Sequence, residues 1–227
     1  MSVDREPRRK DGGVEVLPSL GGLFDTDETF EDEFQVQELC IVDSVLKIRQ
    51  FGWHEANANK VWPGTFTLAE YIVANIDRYK KGTILELGAA TGALSLFLRL
   101  PSYDLNVITS DIDDGGIVSE NILHNFALNN VPSVLHVAYT WGERWPEDVI
   151  ASSSITHVIA SDILLYVKAY PALVATLDLL FRAGTIEFLM SWNRRISTTP
   201  LFFAQMQEAG FAVETLPHCV YSFTRKT

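Results

Sequence analysis

Apolar and polar positions change rhythm several times along this chain, and each change marks an element. Phe34-Gln-Val-Gln-Glu-Leu39 and Ser44-Val-Leu-Lys-Ile-Arg-Gln-Phe51 alternate with a period of two, as half-buried strands do. They predict a hairpin laid against the main body. A loop from Gly52 to Pro63 follows, and Leu68-Ala-Glu-Tyr-Ile-Val-Ala-Asn-Ile76 has helical spacing. From there strand and helix patterns take turns. The strands expected are Thr83–Leu87, Asn106–Ser110, Val134–Ala138, His157–Ser161 and Ile186–Ser191, then Phe211–Leu216 and Cys219–Thr224. The helices expected are Ala93–Arg99, Ile117–Asn129, Tyr170–Arg182 and Pro200–Ala209.

Strands separated by helical crossovers give a doubly wound α/β fold, a mostly parallel sheet covered on both faces. The last two strands meet at Pro217, too close for a crossover, so they pair antiparallel. The pattern therefore predicts seven strands closed by a C-terminal antiparallel hairpin, with the first hairpin as an N-terminal extension. No internal repeat interrupts it.

Composition narrows the class. A chain of 227 residues, 47% apolar, is the size of one domain able to bury its own core. No apolar run is long enough to span a bilayer, and Met1-Ser-Val-Asp-Arg-Glu6 is not a signal peptide. Cys40 and Cys219 lack CxxC spacing and read as buried thiols of a reducing compartment, which places the protein in the cytosol. Arg8-Arg9-Lys10 has the charge of a nuclear-import signal, but three residues are too few to mark one.

The net charge of −11 is unevenly spread: residues 11–46 hold ten carboxylates and no Lys or Arg. Residues 1–33 are thus expected to be an acidic, poorly ordered leader, and residues 34–227 the folded domain, with 34–63 as hairpin and loop and 64–227 as the core. The leader fits a solvated tail or a lure for a basic partner. An acidic chain repels phosphates, so nucleic acid is not an expected partner. A monomer is the simplest expectation.

The first strand-to-helix turn carries the chemistry. Thr83-Ile-Leu-Glu-Leu runs into Gly88-Ala-Ala-Thr-Gly92 and then into a helix. Gly88 permits a sharp turn and lets a ligand approach the backbone. The helix N-terminus behind it would offer free N–H groups to a ligand's carboxylate. The spacing is GxxxG with Ala90 at the second position, which disfavours the pyrophosphate of a dinucleotide. Glu86 adds a negative charge suited to a ligand bearing an ammonium and a sulfonium. A tight turn that binds nothing would look the same on these residues alone. Asp111 ends the second strand 19 residues beyond Gly92, where a carboxylate can chelate both ribose hydroxyls. Asp113 and Asp114 are next to it, and one of them suits a helix cap.

From about Val45 onward the chain resembles the seven-β-strand protein lysine methyltransferases, often called methyltransferase family 16. The resemblance rests on an ordered set. Val61-Trp62-Pro63 precedes a helix with Leu68-Ala69 and Tyr71-Ile72. Glu86-Leu-Gly-Ala-Ala-Thr-Gly92 is the cofactor turn. Ser110-Asp111 is followed by Asn121 and Leu128-Asn129, then Trp141-Gly142 and Ala160-Ser-Asp162. Arg194 or Arg195, Phe202-Phe203 and Ala209-Gly210-Phe211 complete it.

The resemblance implies a class I methyltransferase fold, S-adenosyl-L-methionine as cofactor and a protein substrate. It implies that Gly88, Ala89 and Ala90 line the methionine portion and that Asp111, followed by Ile112, holds the ribose. Trp141 would lie against the adenine, Trp62 would close the pocket, and Ser161 would contribute at the end of the fourth strand. Indole faces stack on adenine and attract cations, although Trp62 and Trp141 also fit core positions.

The family's acceptor signature is an Asp, two residues, then a Tyr. Here the run is Asp162-Ile-Leu-Leu-Tyr166, one residue longer. In a helix one position turns a side chain by about 100°, which would put Leu165 where the family has Tyr. Asp162 and Tyr166 are the catalytic candidates, with Asp162 as orienter of the amine.

Other chemistries lack their residues. The five histidines have no metal-ligand spacing, and there is no GxSxG elbow and no Walker lysine. His157 reads as an ordinary packed or surface residue. A protein lysine methyltransferase leads, ahead of a small-molecule methyltransferase on the same fold and a non-catalytic cofactor-binding protein.

Overall fold

Strands β1 (Gln35–Ile41) and β2 (Ser44–Gln50) form the expected hairpin, paired from Gln35↔Gln50 to Ile41↔Ser44. The computed structural model describes residues 34–194 and 196–226, so the leader 1–33 and Arg195 lie outside the described residues. The hairpin's inner side buries Ile41, Leu46 and Ile48. Its other side is exposed, and there the structure corrects an expectation. Cys40 alternates with Leu39 and Ile41 and points to solvent, and Cys219 is half-buried, so neither is a buried thiol.

Three asparagines on one helix hold the outer edge of β2. They lie at Asn121, Asn125 and Asn129 of α4 (Ile117–Leu128) and its cap. Asn125 accepts the N–H of Arg49 at 2.7 Å and donates to the Arg49 carbonyl, and Asn129 does the same for Lys47. Asn121 accepts from Arg49 Nε and donates to the same carbonyl. Four helical residues rise about 6 Å and two strand residues about 6.7 Å, so the side-chain amides stand in register as a substitute strand.

The remaining elements follow in order. Helix α1 (Pro63–Ala74) begins earlier than its apolar spacing suggested, because Pro63 at N1 presets the first turn. After it come α2 (Ile76–Tyr79), β3 (Thr83–Leu87), α3 (Ala93–Leu98) and β4 (Val107–Asp111). Past α4 lie β5 (His136–Ala138), α5 (Glu147–Ser153), β6 (Ile155–Ser161) and α6 (Tyr170–Arg182). Then follow β7 (Glu187–Ser191), α7 (Thr199–Glu208), β8 (Phe211–Leu216) and β9 (Val220–Arg225). Strand β5 is shorter than expected, and α5 is an element that the residue pattern did not announce. Cys219 falls in the 3-10 turn Pro217–Cys219 rather than in a strand, with φ of 59° at His218 and 60° at Cys219.

The main sheet has the order β5-β4-β3-β6-β7-β9-β8, with β3 to β7 parallel and both β8 and β9 paired antiparallel. This is the expected doubly wound sheet with its C-terminal antiparallel hairpin. Alternate residues of each central strand feed two cores. Ile84, Ile159 and Leu189 face the layer of α1, α3, α4 and the hairpin. Leu85, Val158 and Phe188 face the layer of α6 and α7. Each such side chain, fully buried, contributes about 1.5–3 kcal/mol. His157 is buried, its ring edge-on to Tyr79 with centroids 5.0 Å apart. The chain steps one way from β3 through β4 to β5, then crosses back to β6 on the other side of β3, and that reversal opens a crevice at the strands' carboxyl ends.

Candidate active site

The crevice floor is the turn after β3. Gly88 has φ of +69°, Ala90 +50° and Gly92 +73°. A Cβ on Gly88 would stand 2.9 Å from the Ile163 side chain and 3.8 Å from the Trp141 ring, so only glycine leaves this floor open. The turn's N–H groups are less free than expected. Those of Gly88 and Ala89 donate to the Ser110 carbonyl, and that of Gly92 donates to Ala89. The N–H of Ala90 donates to Asp111 at 2.7 Å. Gly88, Ala89 and Ala90 are therefore braced against β4, while the N–H groups of Ala93 and Leu94 at the start of α3 have no acceptor among the described residues.

Asp111 sits at the tip of β4 and lines the cleft. One carboxylate oxygen accepts from Ala90 and the other from Ile112 N–H at 2.8 Å, leaving each a further lone pair. Burial pushes its pKa up, and the two N–H groups and His54 pull against that. Glu86 is placed differently from the sequence expectation. It does not line the cleft, and its carboxyl accepts from the Ser95 N–H and hydroxyl at the start of α3. Burial raises its pKa to about 8, with the nearby Asp111 adding to the shift. The carboxyl is turned inward onto Ser95 and is not aimed at a ligand in the cleft. Ala89 likewise stays off the cleft lining.

The roof is the loop before α1. Ala56, Asn57 and Ala58 line the cleft opposite the turn. Three side chains hold this loop, those of His54, Trp62 and Tyr166. His54 Nδ1 accepts from Ala56 N–H, and Nε2 lies 3.0 Å from Asp114. Asp114 also caps α4 through Gly116 and Val118 N–H, and these partners outweigh the burial that would raise its pKa. Trp62 Nε1 donates to the Asn57 carbonyl at 3.0 Å. The Tyr166 hydroxyl donates to the Glu55 carbonyl at 3.0 Å and accepts from the Asn57 amide. The stretch from Asp162 to Tyr166 is a turn, not a helix. Leu165 and Tyr166 both line the cleft.

The far end is built by β6 and β7. Ser161 closes β6, its hydroxyl 3.3 Å from that of Thr65. Asp162 follows with φ of 54°, and its Oδ2 accepts from the Gly64 N–H at 2.7 Å. A Cβ on Gly64 would meet Ser191 at 2.5 Å and Asp162 at 2.8 Å, so α1 docks here through a glycine. Burial raises the Asp162 pKa, opposed by Gly64 N–H and by Arg194. Arg194 Nε is 3.9 Å from Asp162 Oδ1, and its guanidinium lies 4.5 Å over the Trp62 ring. Lys60 approaches the same ring at 4.6 Å.

Nine sequence-chosen residues therefore surround one cleft of about 200 Å³: Trp62, Gly88, Ala90, Asp111, Ile112, Trp141, Ser161, Asp162 and Tyr166. Ile163, Tyr139, Thr140 and the roof residues were missed. Tyr139 had a signal, standing two residues before Trp141 just past a strand. The roof had none. The residues suit S-adenosyl-L-methionine: a floor without side chains, a strand-tip carboxylate with spare acceptors, and an indole that already attracts cations.

Comparison with known proteins agrees with this geometry. Residues 41–209 match a family model described as lysine methyltransferase. The EEF1A lysine methyltransferase 3 of Xenopus tropicalis is 30% identical over 209 residues, covering 89% of this chain and 87% of that one. The histone-arginine methyltransferase METTL23 of Xenopus laevis is 25% identical over 62% of this chain and 66% of its own. Among solved structures, the T. thermophilus 16S rRNA N2 G1207 methyltransferase (RsmC), in complex with AdoMet and guanosine, superposes with a TM-score of 0.60 at 15% identity. It covers 86% of this chain, which spans about half (51%) of that one, and the likeness is one of fold. The fold is that of a class I S-adenosyl-L-methionine-dependent methyltransferase. The chain belongs to the lysine methyltransferase family.

Proposed function

We propose that the cleft holds S-adenosyl-L-methionine and that Asp162 presents a protein lysine to it. The observation that carries this is the convergence of the Asp111, Trp62, Trp141 and Asp162 side chains on one cleft at the strand ends. Asp111 would accept the ribose hydroxyls, Trp141 would pack on the adenine, and Gly88 and Ala90 would admit the methionine portion. When bound, the cofactor supplies an electrophilic methyl group on a sulfonium.

The protein's task is placement. Attack in line requires the amine nitrogen about 3–3.5 Å from the methyl carbon. The amine must be neutral, and an ordinary lysine has a pKa of about 10.4. A carboxylate beside it raises that value, so Asp162 orients the amine and solvent takes the proton before transfer. Trp62, Ile163 and Leu165 wall the cleft against water. Tyr166 holds the roof through Glu55 and Asn57 rather than touching the reacting atoms. The free thiols of Cys40 and Cys219 support a reducing compartment, hence the cytosol.

Calorimetric titration with S-adenosylhomocysteine tests the site. Binding by the wild type that is lost in both Gly88→Arg and Asp111→Ala is expected; no binding by the wild type overturns the assignment. Labelled methyl donor with EEF1A as first acceptor, the substrate named for the 30%-identical relative, then tests the reaction. Acid hydrolysis and amino-acid analysis tell methyl-lysine from methyl-arginine.

A further inference from the structure

Two cavities meet at one side chain. Beside the cofactor cleft, a second cavity of about 230 Å³ opens between the start of α1 and the segment after β7. Asp162 alone lines both. Its carboxylate is nearly fully buried, with Oδ2 held by Gly64. Oδ1 accepts no hydrogen bond among the described residues, and Arg194 Nε stays at 3.9 Å, beyond hydrogen-bond range.

Displacement at a methyl group requires nucleophile and leaving group on opposite sides of the carbon. A donor in the first cavity and an acceptor arriving through the second would converge at Asp162 without sharing an entrance. The second cavity has the right walls for a lysine. Trp192 and Pro63 offer apolar surface to the aliphatic stem, and Oδ1 of Asp162 offers an acceptor to the amine at its end.

The mouth carries the opposite charge from the chain as a whole. The net charge is −11, yet Arg194 lines this opening and Lys60 lies over the neighbouring Trp62. The Arg194 side chain is 39% exposed and donates no hydrogen bond to the described residues, so its planar fork is available to a carboxylate. A lone lysine would meet repulsion there, which an acidic neighbour in the substrate would offset.

Resting on the function proposed above, we propose that the second cavity admits the acceptor lysine and that Arg194 selects lysines flanked by an acidic residue. The test uses the full chain, labelled S-adenosyl-L-methionine, and synthetic lysine peptides with acidic, neutral or basic residues at the flanking positions. Acidic flanks should raise kcat/KM about fivefold over basic ones, the upper range of a solvent-accessible ion pair. Arg194→Ala should level the difference and Arg194→Glu should reverse it. Thr67→Trp, which fills the cavity from α1, should abolish turnover. All three variants should bind S-adenosylhomocysteine like the wild type, which shows that they fold.

An unchanged preference in Arg194→Ala overturns the proposal, as does undiminished turnover in Thr67→Trp. A wild type that binds S-adenosylhomocysteine but labels no peptide overturns it too. A wild type that fails to bind S-adenosylhomocysteine strikes the cofactor assignment instead.

Discussion

The Asp162 carboxylate accepts the backbone N–H of Gly64 at 2.7 Å, so the residue that faces the acceptor also anchors the first turn of α1. The two duties are separable. In Asp162→Asn the amide oxygen still accepts from Gly64, while the charge that orients an amine is gone. Turnover should fall on the order of 100-fold, as when one preorganised electrostatic partner is removed. Affinity for S-adenosylhomocysteine and melting temperature should barely move. Steady-state kinetics beside calorimetry decide it, and equal turnover would remove Asp162 from the mechanism.

Tyr166 joins the segment after β6 to the roof loop through the Glu55 carbonyl and the Asn57 amide. Tyr166→Phe deletes both contacts and keeps the ring. With about 0.5–1.5 kcal/mol net per hydrogen bond and two bonds lost, S-adenosylhomocysteine should bind about five- to 150-fold more weakly, mainly through faster release. The rate constant kcat should stay close to wild type. A collapse of kcat with unchanged affinity would instead put the hydroxyl among the reacting groups.

Glu86 gives the fold a pH signature. Burial raises its pKa from the ordinary 4.5 to about 8, against the pull of the Ser95 hydrogen bonds and with a push from Asp111. Between those values the folded state keeps a proton that the unfolded state has lost. Stability from this group therefore declines as pH rises from about 4.5 to 8, by at most about 1.4 kcal/mol per unit. Glu86→Gln keeps an acceptor for Ser95 and has no proton to lose. Its stability relative to wild type, measured by urea melts at pH 5.5 and 8, should improve at the higher pH; parallel curves would contradict the buried carboxyl.

Much of this architecture was legible because burial on both faces leaves a plain mark. Strands such as Thr83–Leu87 and Val107–Asp111 are buried along their whole length, and their short β-branched and apolar stretches, Ile-Leu and Val-Ile-Thr, stand between helical patterns. The cleft floor was legible through Gly88 and Asp111, where backbone geometry and a strand-tip carboxylate restrict the residue type. Helix α5 was not, since seven residues beginning at Glu147 carry too short an apolar period to register. The roof was not, since its contacts run from side chains to backbone carbonyls at Glu55 and Asn57, which any residue supplies. Glu86 was misjudged because nothing along the chain shows that Ser95, nine residues later, returns to take its carboxyl. Cys40 was readable in hindsight of nothing more than its own strand: with Leu39 and Ile41 inward, alternation turns it out.

The asparagine ladder explains how a two-stranded sheet, marginal alone in water, stays in place against α4. Asn125 is its centre, buried and bonded to the Arg49 N–H, the Arg49 carbonyl and the Thr91 carbonyl. Thr91 belongs to the cofactor turn, so this one amide ties the hairpin to the cleft floor. Asn125→Ala should cost about 2–4 kcal/mol, since it strands partners that water reaches poorly. In a domain of this size that lowers the melting temperature by roughly 5–15 °C. Asn129→Ala breaks comparable bonds to Lys47 at an exposed position, where water replaces the amide, and should cost about 1 kcal/mol or less. Differential scanning calorimetry of both variants separates the two cases. Equal losses would mean that the amides act by holding the strand in register, whatever their burial, rather than by satisfying a buried backbone.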